Sequence, residues 1–84
     1  MPSKTVFVVQ TFELKRKRLV PGKQETAPTQ NGALKKAEAL VTRIPGAAAI
    51  SMTVDDETGE VDRATILGTF GDVPDDFAET LTGG

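Results

Sequence analysis

Residues 4–14 crowd apolar and β-branched side chains at alternating positions, which predicts a strand. Val6, Val8, Gln10 and Phe12 share one face, and Phe7, Val9, Thr11 and Glu13 share the other. Both faces begin apolar, so this strand is expected to be central and partly covered on each side. Lys15-Arg16-Lys17-Arg18 follows and reads as the turn and start of a second, antiparallel strand. Pro21 has no N–H for a ladder, which puts that strand at an edge or a bulge. Its charges would discourage strand addition by other chains. The polar stretch 24–28, ending at Pro28, is expected to be loop or frayed edge strand.

The pattern then changes period. Ala33, Leu34, Ala37, Leu40, Val41 and Ile44 fall on one face of an α-helix, with Lys35, Lys36, Glu38, Thr42 and Arg43 largely on the other. The spacing predicts a helix over 29–44, capped by Thr29 or Asn31 and stopped by Pro45-Gly46. Two further alternating runs, 47–54 and 62–70, predict a hairpin. Gly59 supplies the left-handed position that its loop needs. Gly71-Asp72-Val73-Pro74 reads as a turn. Asp72 could cap a short last helix that docks Phe77 and Leu81 on the sheet.

The order is β-β-α-β-β with an optional C-terminal helical turn. It predicts an α+β domain, a four-stranded, mainly antiparallel sheet with one helix across one face. The other face, carrying Thr and Ser, is expected to be wet or a shallow interface. Residues 1–84 make a single domain, with 1–4 and 82–84 expected to be disordered.

Composition narrows the class. At 38% apolar and 26% charged the chain is globular rather than disordered, with a lean core. Four Phe are its only aromatics, so stacking anchors for bases or partners are scarce. The absence of Cys favours a reducing compartment. No run of about 20 apolar residues suggests a membrane span, and Met1-Pro2-Ser3-Lys4 leads into a strand rather than a signal peptide. A cytoplasmic location is therefore expected.

Charge changes the picture most. Residues 1–46 hold nine Lys and Arg against three acids, a net +6, and residues 47–84 hold one Arg against nine acids, a net −8. The overall charge of −2 conceals two opposite halves.

Chemistry is sparse. Without His or Cys the chain lacks the commonest general base, soft metal ligands and a thiol nucleophile. Ser51 sits in an expected strand with no imidazole partner, and no phosphate-binding glycine motif is present. Neither a catalytic residue nor a cofactor is assigned. Asp55, Asp56, Glu57, Glu60 and Asp62 could suggest a hard cation, but Gly59 is misplaced for a calcium loop and a solvated turn is the expectation. Lys15, Arg16, Lys17 and Arg18, with Lys35 and Lys36, are the candidate partner-binding residues. Gln10, the polar residue on the apolar face of strand one, is expected to satisfy a neighbouring backbone group.

Phe7-Val8-Val9-Gln10-Thr11-Phe12, the Ala-rich basic helix, Pro45-Gly46-Ala47-Ala48-Ala49, Asp56-Glu57-Thr58-Gly59-Glu60 and Ile66 to Pro74 together resemble a group of small uncharacterised proteins of alphaproteobacteria and their phages. The resemblance implies a bacterial cytoplasmic setting and brings no catalytic residues. Leu81-Thr82-Gly83-Gly84 is similar to the C-terminal diglycine of ubiquitin-like and sulfur-carrier proteins, whose β-grasp core also runs β-β-α-β-β. Those folds usually lack a tight hairpin between the last two strands, so a frayed tail is the expectation.

The function expected is a non-enzymatic module that binds protein partners or itself. A nucleic-acid-binding accessory protein is the alternative, and it requires the basic residues to gather in space. A ubiquitin-like or sulfur carrier is a minor alternative.

Overall fold

In the computed structural model, which describes residues 3–74 and 77, the long strand β1 (Ser3–Lys15) runs through the middle of a four-stranded sheet. It pairs on one side with β2 (Arg18–Ala27) and on the other with β3 (Gly46–Asp55), and β3 pairs with β4 (Val61–Gly71). All pairings are antiparallel and the strand order is β2-β1-β3-β4. The helix α1 (Gln30–Leu40) lies between β2 and β3 in the chain. The expected α+β plan and β-β-α-β-β order are therefore found. β1 is central, as its two apolar faces predict. It begins at Ser3, so Ser3 and Lys4 belong to the strand opposite Asp55 and Val54, not to a tail.

Two expectations are corrected and one alternative is decided. Of the loop and edge strand expected over 24–28, Gln24–Ala27 takes the edge strand: Gln24, Glu25, Thr26 and Ala27 find rungs on Gln10, Val9, Val8 and Phe7. The helix is shorter than 29–44. Thr29 is its N-cap, with extended backbone and a hydroxyl that accepts the Gly32 N–H at 2.9 Å. It ends at Leu40 because Pro45 would clash with the Val41 carbonyl and disfavours helical backbone at Ile44. The chain leaves through turns in which the Arg43 and Ile44 N–H groups both donate to the Leu40 carbonyl.

The second correction concerns which face the helix covers. α1 packs on the small-residue face. Val9, Ala33, Ala37, Ala47 and Ala49 form one buried cluster, flanked by Phe7, Leu34, Leu40, Val41, Ile44, Leu67 and Phe70. This is the face that carries Ser51 and Thr53. Small side chains let the helix approach, and a Cβ at Gly68 would come within 3.0 Å of the Leu34 side chain. The bulkier face is not wet either. Phe12, Ala48 and Ile50 are buried there, with Leu19, Met52, Ala64, Val73 and Phe77 against them.

Turns fix the ends. Gly59 is left-handed at φ 76°, as its place in the loop predicts. Gly46 and Gly71 pair at the other end, where a Cβ on Gly46 would overlap the Asp72 carbonyl. This close approach lets Asp72 N–H reach the Pro45 carbonyl at 2.9 Å and sends Val73 onto the bulkier face. The expected short helix from Asp72 lies mostly outside the described residues, as do Leu81 to Gly84 and the expected tail 82–84. Phe77, which is described, donates its N–H to the Pro74 carbonyl. No helix among the described residues is long and apolar enough to cross a membrane.

Candidate functional site

Beyond the Phe12–Gly46 rung, β1 continues for three residues with only β2 beside it. At about 3.3 Å per residue this makes a two-stranded ribbon that projects about 10 Å past the rest of the sheet. Its tip is the basic run. Lys15 pairs with Arg18, and the two residues between them, Arg16 and Lys17, turn the chain at φ 51° and 67°. Two consecutive left-handed residues make the mirror-image turn that matches strand twist, a position that Asn-Gly fills at least cost. Here long cationic side chains fill it. All four are exposed.

The structure therefore gathers Lys15, Arg16, Lys17 and Arg18 into one projecting tip and leaves the helix cations apart from it. Lys36 Nζ pairs with Glu25 Oε1 at 3.3 Å, the one ion pair among the described residues. Glu25 sits opposite Val9, six residues from Lys15 along β1, or about 20 Å along the strand. Lys35 lines a shallow, open depression on the outer face of α1 with Glu38, Ala39 and Thr42, all exposed. The candidate set thus divides into a cluster of four and two separate lysines.

The acidic run from Asp55 to Asp62 occupies the opposite end, whereas Glu13 lies on the ribbon and Asp72 beside its base, after the Gly46–Gly71 rung. Ser3, at the start of β1, pairs with Asp55, where the β3–β4 loop begins. Asp55 organises that loop: its Oδ1 accepts the Glu57 and Thr58 N–H groups at 2.7 and 3.1 Å, and its backbone carbonyl accepts from Gly59. This is the solvated turn that the sequence suggests. Among the described residues no three His, Cys, Asp or Glu are placed to hold a metal ion. Asp56, Glu57, Glu60 and Asp62 are exposed around it, accompanied by Lys4 and Arg63. The basic and acidic ends thus face away from each other along the strand direction of a molecule 43 Å long.

Two residues not singled out from the sequence complete these ends. Leu14 is 58% exposed and Val61 54%, the large apolar side chains most open to solvent among the described residues. Leu14 precedes the basic run, and Val61 lies between Glu60 and Asp62. The register puts both on the bulkier face of the sheet, Leu14 opposite Leu19 and Val61 opposite Val54. An apolar residue at each strand end, beside a charge run, was the available signal.

Gln10 takes the structural role expected of it. It is 5% exposed and stands beside a bulge where Gly22 and Lys23 of β2 oppose Thr11. Its Nε2 donates to the Thr11 and Gly22 carbonyls at 2.9 and 3.2 Å, and its Oε1 accepts from Gln24 at 2.7 Å. The Thr11 hydroxyl donates to the Lys23 carbonyl. Among the described residues every buried side-chain polar atom has a partner. Ser51 stands in β3 between Phe7 and Thr65. Comparison with protein-family models, curated proteins and solved structures found no match.

Proposed function

We propose that this chain is a small non-enzymatic binding module of the bacterial cytoplasm that engages an acidic protein surface through the β1–β2 tip. One observation carries the proposal: four exposed cations are concentrated on a projecting ribbon whose turn is built from residues poorly suited to its backbone. A turn selected only for stability would carry Asn or Gly at Arg16 and Lys17. Residues that oppose the local preference of the backbone point to a role outside folding. The absence of Cys and the resemblance noted above support the cytoplasmic setting.

The test is an amide-shift titration of the labelled protein with poly-glutamate at low salt. Shifts centred on Leu14–Arg18, weakened above about 0.15 M salt, are expected. An unperturbed tip would overturn the proposal. A two-stranded ribbon also fits the major groove of a duplex, so duplex DNA forms the second arm. Shifts with DNA alone would replace the acidic protein with nucleic acid.

A further inference from the structure

We infer that the acidic surface fitted to the tip is the far end of a second copy of this chain, and that copies join head to tail. The inference rests on the tip being a contact surface and goes on to name its partner.

Two independent features of the ends match. Charge is the first: Lys15, Arg16, Lys17 and Arg18 at one end against Asp55, Asp56, Glu57, Glu60 and Asp62 at the other. Exposed apolar surface is the second. Leu14 accompanies the cations and Val61 accompanies the acids, and both lie on the same face of the sheet. Moving one copy along the strand direction and about 10 Å (two strand spacings) across the sheet, without flipping it, brings Leu14 of β1 towards Val61 of β4 and the tip towards the Asp55–Glu60 loop. The apolar pair supplies contact that salt does not screen, and the charges fix orientation and speed encounter.

Charge rejects symmetric pairing end to end. Two copies related by a two-fold axis at either end would oppose like charges. The contact joins different surfaces, so it leaves one basic and one acidic end exposed and propagates. It is a small contact made largely by solvated charges, so it is weak and seen at high concentration and low salt.

Two variants test this by sedimentation. Leu14→Thr/Arg16→Asn/Lys17→Gly disables the tip, and Asp56→Asn/Glu57→Gln/Val61→Thr disables the acidic end. All six positions are exposed, so both variants should fold, which circular dichroism verifies. The wild type should sediment faster as its concentration rises at low salt. Each variant alone should stay monomeric. Their mixture should form a heterodimer and nothing larger, because one competent tip meets one competent acidic end. A monomeric wild type, or a mixture that stays monomeric, overturns the inference. Poly-glutamate binding at the tip of a protein that never self-associates would leave the binding role standing and remove only the second copy as partner.

Discussion

Arg16 and Lys17 stand side by side in left-handed backbone, at φ 51° and 67°, with Lys15 and Arg18 paired beneath them. The Cβ of an L-residue crowds its carbonyl there, at a cost on the order of 1–2 kcal/mol per residue. For a domain of 84 residues, total stability is only about 4–13 kcal/mol, so this cost is a sizeable fraction. Arg16→Asn/Lys17→Gly should therefore raise the melting temperature, by about 4–8 °C per kcal/mol recovered. The same variant should bind poly-glutamate more weakly. A gain in stability joined to a loss of binding is the signature of a site held against folding preference. Calorimetry beside the titration checks both halves, and a variant that is stabilised and binds unchanged would show the turn residues to be incidental.

The Gln10 amide holds the β1–β2 bulge together from within the sheet. Gln10→Leu keeps the volume but leaves the Gly22 carbonyl and the Gln24 amide short of a partner. A loss of about 1–3 kcal/mol in urea unfolding is expected. The bulge is where the ribbon begins, so amide shifts should spread from Gly22 and Lys23 towards the tip.

Phe12 and Phe77 meet edge to face, with ring centroids 4.9 Å apart and planes at 84°. This contact fastens the segment after β4 to the bulkier face. Phe12→Ala should cost about 3–5 kcal/mol, enough to leave a marginal domain close to unfolded. Phe77 is only half-buried, and Phe77→Ala should cost less. Phe12→Leu and Phe77→Leu, taken in a double-mutant cycle, should couple by about 0.5–1.5 kcal/mol. Additive effects would mean the rings do not share one contact.

Gly46 is a position of close approach rather than of unusual φ. Gly46→Ala places a methyl on the Asp72 carbonyl and must displace the turn that carries Val73. The expected result is a strong loss of stability with amide shifts at 70–73. Gly59→Ala is the contrast: open space surrounds its Cβ, and only its φ of 76° resists. Its cost should be about 1 kcal/mol.

Much of this fold was legible because the relevant signals are local. The β-branched density of Val6 to Phe12, the Thr29 cap and the Gly59 turn each depend on near neighbours. The sequence left loop and edge strand open over 24–28, because the choice comes from rungs on β1 and from the Gln24–Gln10 bond, across a bulge no local pattern reveals. The helix end was hidden because Val41 and Ile44 keep the helical spacing, yet they reach the core from turns. The face choice was hidden because it depends on how closely α1 can approach Ala47, Ala49 and Gly68, a property of two elements together. At the candidate site the four consecutive cations were plain in the sequence. Their projection beyond the sheet, the separation of Lys35 and Lys36 from them, and the matching exposure of Leu14 and Val61 emerge only from strand register.

Register also places the two charge clusters at opposite ends of the long axis, and the account depends on contact between those ends. Small-angle X-ray scattering over a concentration series at low salt reads this directly. The account predicts that the longest dimension grows from the 43 Å of one molecule while the cross-section stays constant. A longest dimension that stays fixed at every concentration, or a compact dimer with a thicker cross-section, would contradict it.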